Sequence, residues 1–257
     1  GRAAPAAEFT PQVGQAGKDV IWVPTPDDLV DRMLRMAQTT SSDIVIDLGS
    51  GDGRTVIAAA KKFGTKALGI EYNPDMVTLS QRNAQREGVA AAATFVKADL
   101  FESDFSQATV ITMYLLPSIN ARLKPKILGL KPGTRIVSHA FDMEDWRADQ
   151  TDMVDGRRAM LWIVPAKVGG SWKLKIGDGA EMDVSINQSY QMLDGTVQLP
   201  RINTSLREAR LSGDRINFTL MDASANLQSF SGRVAGDRME GTVRSATGAE
   251  ARWTARR

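Results

Sequence analysis

Short apolar runs alternate with stretches of helical periodicity between residues 21 and 165. This alternation is typical of a parallel sheet covered by helices. The runs predict strands at Ile44–Ile46, Ala67–Ile70, Thr94–Val96, Thr109–Thr112, Arg135–Ser138 and Ala159–Val164. The periodic stretches predict helices at Asp27–Ala37, Arg54–Phe63, Asp75–Glu87 and Ile119–Leu130, the last interrupted by Pro125. We expect the last strand, Ala159–Val164, to lie antiparallel at the edge of the sheet.

The pattern changes after residue 165, where apolar and polar positions alternate with a period of two. Candidate strands are Gly170–Ile176, Glu181–Gln188, Tyr190–Leu199, Ser205–Leu211, Arg215–Met221, Leu227–Val234, Arg238–Val243 and Ala251–Ala255. Gly-Asp pairs within Leu211–Ile216 and Val234–Met239 predict tight hairpin turns. Strands without helices predict a small antiparallel barrel or sandwich. Its core is expected to hold Trp172, Tyr190, Phe218 and Phe230.

These patterns predict a flexible tail over residues 1–19, an α/β domain over 20–165 and a β domain over 166–257. The first nine residues, rich in Ala and Pro, are interpreted as a cloning remnant or as what is left of a processed leader. The second interpretation would make the protein an exported one.

Composition removes several classes of function. The formal net charge of +2 comes without a clustered basic run, so we expect no nucleic-acid partner. The sequence has no Cys and a single His, which disfavours thiolate and imidazole metal sites. It also lacks the roughly 18 consecutive apolar residues of a membrane span. We expect a monomer.

The segment Asp47-Leu48-Gly49-Ser50-Gly51-Asp52-Gly53 lies between a predicted strand and a predicted helix. This is the position of a nucleotide-type site. A dinucleotide site has the pattern G-x-G-x-x-G, but here the third glycine comes one residue early and Arg54 follows it. Asp47 and Asp52 would repel a pyrophosphate. They suit a ligand with an ammonium and a sulfonium group, and the sequence therefore favours S-adenosylmethionine (SAM) over NAD.

Two further acids end the next predicted strands. Glu71 comes 22 residues after Gly49, where an acid can accept hydrogen bonds from both ribose hydroxyls. Asp99 follows the third predicted strand, where an adenine amino group can be bound. Three acids, each at the carboxyl end of a strand, indicate one SAM site.

The segment Asp47–Arg54 with Gly69-Ile70-Glu71 resembles the class I, seven-strand SAM-dependent methyltransferases. Five further segments narrow the resemblance to one group within that class, the small archaeal protein-lysine methyltransferases of broad specificity and their mitochondrial relatives. These segments are Val23–Pro26, Ala108–Leu116, Asn120, Leu123–Lys126 and Leu130–His139. The resemblance covers roughly residues 20–164 and leaves out the β domain. It implies a Rossmann-like, doubly wound sheet of seven strands.

The residues and the resemblance together imply a cofactor site. Its predicted members are Val23, Pro24, Thr25, Asp47, Leu48, Gly49, Ser50, Gly51, Asp52, Gly53, Glu71, Tyr72, Asn73, Asp99, Leu100 and Tyr114. By the resemblance, Val23–Pro26 lies across the cofactor and Trp146 packs over the rim of the site. SAM becomes S-adenosylhomocysteine (SAH) by in-line displacement, for which no metal is expected.

Tyr114 and His139 are the candidate catalytic residues. The segment Tyr114-Leu115-Leu116-Pro117 follows the fourth predicted strand. Methyltransferases that act on amide or ring nitrogens often carry the motif Asn/Asp-Pro-Pro-aromatic at this position. The difference argues against nucleobase and glutamine methylation, and the resemblance implies a protein lysine as the methyl acceptor. Two alternatives stay open: a small-molecule methyltransferase whose β domain helps to bind the substrate, and a SAM-binding protein without turnover. The cytoplasm, where SAM is made, is the expected compartment.

Overall fold

A computed structural model of the chain describes residues 9–15 and 22–257. The chain forms two compact units. One, the α/β unit, comprises the residues up to Leu130 and Thr134–Trp162. The other, the barrel unit, comprises Lys131–Gly133 and Ile163–Arg257. Within the described residues, none of the helices combines the length and apolar character that crossing a membrane requires.

The α/β unit builds one sheet flanked by helices. Its strands are β1 (Ile44–Leu48), β2 (Lys66–Glu71), β3 (Ala93–Lys97), β4 (Val110–Met113), β5 (Arg135–His139), β6 (Gln150–Val154) and β7 (Arg157–Ile163). Its helices are α1 (Asp27–Met36), α2 (Arg54–Phe63), α3 (Pro74–Arg86) and α4 (Pro117–Leu128). The strand order is β3-β2-β1-β4-β5-β7-β6, with β1 to β5 parallel, and the predicted seven-strand, Rossmann-like sheet is confirmed.

Local sequence explains where the helices begin and end. Gly64 takes a left-handed conformation with φ of +71° and ends α2, as predicted. Asn73 caps α3 by accepting a hydrogen bond from the Asp75 amide. The expected interruption of α4 at Pro125 is wrong, because the helix continues through it to Leu128. Leu123 and Ile127 are buried beside Pro125, and this burial outweighs the missing amide donor.

The far edge of the sheet also differs from the prediction. The predicted edge strand, observed as Arg157–Ile163, lies inside the sheet, and the antiparallel strand β6 forms the edge instead. The sequence of β6 gave no signal because no position of Gln150–Val154 is buried. A strand without a buried face shows no apolar alternation.

The barrel unit is a closed meander. Its strands are β8 (Gly170–Ile176), β9 (Met182–Ser189), β10 (Met192–Gln198), β11 (Asn203–Ser205), β12 (Arg207–Ser212), β13 (Arg215–Met221), β14 (Leu227–Ala235), β15 (Arg238–Ser245) and β16 (Glu250–Arg256). Each strand pairs antiparallel with its neighbours, and β8 pairs with both β9 and β16, which closes an eight-strand barrel. Among the described strands, the three-residue β11 pairs only with β10 and stands outside this ring. Of the two predicted architectures, the barrel is the observed one.

Aromatic side chains fill the barrel. Phe218 and Phe230 stack with ring centroids 4.7 Å apart, and both meet the edge of Trp253. Trp172 is also buried, as predicted. Tyr190 is not a core residue, contrary to the expectation. It is half-buried in the turn between β9 and β10 with φ of +55°.

Candidate active site

The glycine segment forms a turn between β1 and α2, at the point where strand order reverses between β1 and β4. Ligands of open α/β sheets bind at this switch point. Gly51 has φ of +55°, and a Cβ there would lie 2.6 Å from the Trp22 indole nitrogen. Only glycine fits this position, because the backbone is left-handed and the indole packs directly on it.

A cleft opens beside this turn. Among the described residues its lining consists of Gln15, Trp22, Val23, Pro24, Thr25, Met33, Asp47, Gly49, Ser50, Gly51, Asp52, Arg54, Thr55, Glu71, Asn73, Met76, Thr112, Met113 and Tyr114. The carboxyl ends of β1, β2 and β4 and the segment before α1 therefore meet at one place. This segment is Val23–Pro26.

Asp47 is the most perturbed group of the cleft. It is 7% exposed at the end of β1 and accepts a hydrogen bond from Thr112 Oγ1 at 2.8 Å. Burial, assisted by the nearby Glu71 and Asp52 charges, raises the pKa of Asp47 to about 8. Asp47 therefore holds a proton at neutral pH until a cation enters the cleft.

Glu71 is positioned by backbone amides on both sides. Its Oε1 accepts from the Gly51 amide at 2.9 Å, and its Oε2 accepts from the Asn73 amide at 3.0 Å. Each carboxylate oxygen can accept more than one hydrogen bond. The glycine turn thus holds Glu71 in one orientation at the rim of the cleft.

Asp52 lines the cleft and also forms an ion pair within the chain. Arg54 donates to both of its carboxylate oxygens, with the shortest distance 2.7 Å from Nη2. Arg54 Nη1 also donates to the Thr25 carbonyl at 3.4 Å. The charge of Asp52 is therefore compensated within the chain, and the pair ties the glycine turn to the segment Val23–Pro26. Of the three acids in the cleft, Asp47 and Glu71 have no ion-pair partner among the described residues.

An aromatic stack lies beside the cleft at the ends of β4 and β5. The rings of Tyr114 and His139 stack at 3.7 Å, and Phe141 continues on the other side of Tyr114 at 6.0 Å. His139 is buried and its Nδ1 lies 3.0 Å from Thr25 Oγ1. Tyr114 lines the cleft directly, whereas His139 reaches it through Tyr114 and Thr25.

The neighbours of His139 assign its tautomer. Arg157 Nη1 lies 3.5 Å from Nε2, and a guanidinium can only donate. This contact favours the tautomer in which Nε2 accepts and the ring proton on Nδ1 is donated to Thr25 Oγ1. Burial, then the Arg157 charge, lowers the pKa of His139 to about 4. His139 is neutral at physiological pH, and the hydroxyl proton of Thr25 stays available for another acceptor.

Most predicted site residues meet in this cleft, but six do not line it. Leu48 is buried at the end of β1, and Gly53 is the left-handed N-cap of α2. Tyr72 is 47% exposed, and Asp99 accepts from the Phe101 amide in the turn after β3, beside the buried Leu100. The sixth is His139.

Sequence reasoning missed part of the lining. Gln15 and Trp22 line the cleft, and backbone hydrogen bonds join Trp22 to Gly14 and Gln15. Gln15 lies within the stretch predicted as a tail, where no periodicity marked it. Thr112 was inside an apolar strand run, and its place in the cleft lining and its hydrogen bond to Asp47 reveal its part. Within the described residues, no group of three or more His, Cys, Asp or Glu side chains is arranged to hold a metal ion.

A doubly wound seven-strand sheet with a glycine turn and an acidic cleft at its switch point defines a class I SAM-dependent methyltransferase. Residues 47–150 match the family model described as the ANTKMT methyltransferase domain. The chain is 46% identical over 138 residues to a protein-lysine N-methyltransferase of Saccharolobus islandicus, covering 53% of this chain and 86% of the relative. It is 36% identical over 148 residues to a lysine N-methyltransferase of Rattus norvegicus that is named for a component of ATP synthase, covering 56% of this chain and 68% of the relative.

A solved structure described as an RNA methyltransferase from Salinibacter ruber, in complex with SAH, is also similar. It is 48% identical with a TM-score of 0.56 and covers 57% of this chain and 96% of that one. The chain belongs to the methyltransferase family that includes the archaeal and the rat lysine N-methyltransferases.

Proposed function

We propose that the protein transfers a methyl group from SAM to the side-chain amine of lysine in a protein substrate. The identity of 46% across 86% of an archaeal protein-lysine N-methyltransferase carries this proposal. Rat and human relatives at 36% identity are also lysine methyltransferases by name. We further propose that the enzyme is a monomer and works in the cytoplasm, where SAM is made.

The cleft fits SAM chemically. Gly51 adds no side chain of its own to the cleft, whose wall at this point is the Trp22 indole. Glu71, fixed by two amides, is suited to accept hydrogen bonds from ribose hydroxyls. Asp47 is suited to the ammonium group of the methionine part, since a nearby cation favours its charged form. Asp99 and Leu100 remain our proposal for the adenine end.

When bound, SAM supplies a methyl group on a positively charged sulfur. The protein has to exclude water and align the amine with that methyl group. Tyr114 is proposed to form one wall of the channel for the amine, because it lines the cleft with its ring stacked on His139. Thr25 is proposed to donate its hydroxyl proton to the methionine carboxylate, since His139 Nδ1 supplies the hydrogen bond that its oxygen accepts.

The lysine amine must lose a proton before it can attack, since its ordinary pKa is about 10.4. An aromatic wall and a neutral His139 provide an environment that disfavours the charged ammonium. No residue has to act as a strong base in this scheme. The role of His139 is to position Tyr114 and Thr25.

The competing acceptor is RNA, because one similar solved structure is described as an RNA methyltransferase. The sequence after β4, Tyr114-Leu115-Leu116-Pro117, offers no Asn or Asp side chain to hold an amino group of a base. The protein acceptor therefore has the stronger support.

The proposal is tested by incubating the enzyme with radiolabelled SAM and one of two acceptor preparations. One is a protein lysate depleted of nucleic acid, and the other is total RNA. Label is expected in protein, sensitive to protease, with methylated lysine identified by mass spectrometry. Asp47→Ala is expected to remove the signal and serves as the negative control. Label confined to RNA or to small solutes contradicts the lysine proposal, and SAM binding without any transfer would leave a binding protein instead.

A further inference from the structure

A groove of 690 Å³ crosses the outer face of the barrel unit. It runs over strands β8, β14, β15 and β16. Its charged lining is Lys173, Lys175, Glu181, Asp214, Arg233, Arg238, Glu240 and Arg256. An adjoining concave stretch of 470 Å³ shares Arg233 and Glu240 with it and adds Arg215 and Arg252. We call the five arginines, Arg215, Arg233, Arg238, Arg252 and Arg256, the arginine face.

The strand register sets these arginines opposite one another. Arg215 of β13 is directly opposite Arg233 of β14, and Arg238 of β15 is directly opposite Arg256 of β16. Like charges in these positions destabilise an antiparallel pair. The same strands also contain opposite-charge pairs, since Arg233 is directly opposite Glu240 on its other side and Arg244 forms an ion pair with the facing Glu250. The two facing arginine pairs, only partly offset by Glu240, indicate a use outside the barrel's own stability.

Acidic neighbours neutralise only part of the arginine face. Arg233 pairs with Asp214 at 3.4 Å, and Arg256 pairs with Glu181 at 3.0 Å. Among the residues that the structure describes, Arg215, Arg238 and Arg252 have no carboxylate within ion-pair distance. Three guanidinium groups therefore stay available to an incoming anion, each able to bind a carboxylate through two parallel hydrogen bonds.

The lining favours a protein partner over a nucleic acid. Neither concave stretch has an aromatic side chain in its described lining, whereas single-stranded nucleic acids bind by stacking bases on aromatic rings. The rings of Phe218, Phe230 and Trp253 are buried inside the barrel instead. Glu240 also lies within the basic surface and would oppose a continuous phosphate backbone. Separate carboxylates on an extended chain can reach the arginines and avoid Glu240.

We propose that the arginine face binds an acidic segment of a protein partner. A role for this contact in delivering a substrate protein rests on the proposed lysine methyltransferase function, but the binding itself does not.

The test measures binding to the full chain and needs no turnover. A fluorescent peptide in which glutamate alternates with serine is titrated with the protein at low ionic strength, followed by fluorescence anisotropy. The double variant Arg215→Gln and Arg238→Gln is expected to weaken the peptide Kd about tenfold, because two unpaired donors are lost. Glu240→Gln is expected to strengthen it. The matched control Arg244→Gln, from the same strand but paired with Glu250, should change the Kd less than about twofold.

Two outcomes overturn the proposal. One is equal binding of a peptide in which glutamine replaces glutamate, or equal binding by the double variant. The other is a single-stranded RNA that binds the face more tightly than the peptide does and depends on the same arginines, which would make it a nucleic-acid surface. Near-UV circular dichroism, to which the buried Trp172 and Trp253 of the barrel contribute, confirms that the barrel unit of each variant is folded. SAH binding is measured separately. If the unmodified protein does not bind SAH, the methyltransferase proposal is contradicted and the peptide result is unaffected.

Discussion

The two units of this protein treat buried polar groups in opposite ways. All buried polar and charged side chains among the described residues belong to the α/β unit, between Thr25 and His139. The buried cluster of the barrel unit is apolar throughout, and its charges lie on the outer surface. A buried polar group is stabilised only by specific partners, whereas an apolar core requires only volume and pattern. The polar groups of the α/β unit are therefore partly buried, whereas the charged groups of the barrel unit lie on its surface.

The largest effect is expected in the apolar core of the barrel. Trp253→Ala removes a ring that touches Phe218 and Phe230 and should lower the free energy of unfolding by about 3–5 kcal/mol. Urea denaturation followed by near-UV circular dichroism measures it. The neighbouring Thr254→Ala, exposed on the same strand, should stay within about 0.5 kcal/mol. We expect SAH affinity to be unchanged in both, because every described residue lining the cleft belongs to the α/β unit.

Gly51→Val tests the cofactor cleft of the α/β unit. The added side chain meets the Trp22 indole and a left-handed backbone, and we expect SAH to bind at least ~100-fold more weakly, or about 2.7 kcal/mol. Isothermal titration calorimetry measures the Kd. Gly88→Ala is the control, since it has a similar φ of +72° but open space around it. A Gly51 variant with unaltered affinity would show that the ligand binds elsewhere.

Thr112→Val separates the buried hydrogen bond from packing. Valine keeps the shape but removes the donor to Asp47, which should cost about 1–2 kcal/mol of stability and weaken SAM binding about tenfold. Thr94→Val, at an exposed position of β3, controls for the substitution itself. Equal effects of the two variants would mean that the bond to Asp47 carries no special weight.

The smallest expected effect is the release of a proton from Asp47 when SAM binds. In the free protein the pKa of Asp47 is about 8, well above its ordinary value, so its carboxyl is protonated at pH 7. A bound cation lowers that pKa, so SAM binding releases a proton and tightens as pH rises from about 6.5 to about 7.5, by at most ~10-fold. Above about pH 8 the dependence ends. Titrations in two buffers of different ionisation enthalpy measure the release, and Asp47→Asn should abolish it.

The same comparison explains what the sequence could predict. All eight strands of the barrel ring followed from alternation, because each has one buried and one exposed face. In the α/β unit, the glycine turn and Glu71 were predicted from their spacing after strands. The compensation of Asp52 by Arg54 was not, since both residues belong to one short turn and the ion pair depends on side-chain direction. Trp22 and Gln15 were missed because an irregular segment carries no periodicity.

The pairing of β8 with β16 places the first and last strands of the barrel side by side. Suppose that a short linker joined the end of β16 to the start of β8 and that the chain were opened at the Gly213-Asp214 turn. Every hydrogen-bonded ladder of the barrel would be retained. The barrel is therefore suited to circular permutation, because its architecture does not depend on where the chain begins and ends. Such a module can be inserted into a host protein through two neighbouring attachment points, and so carry its surface charges to an unrelated scaffold.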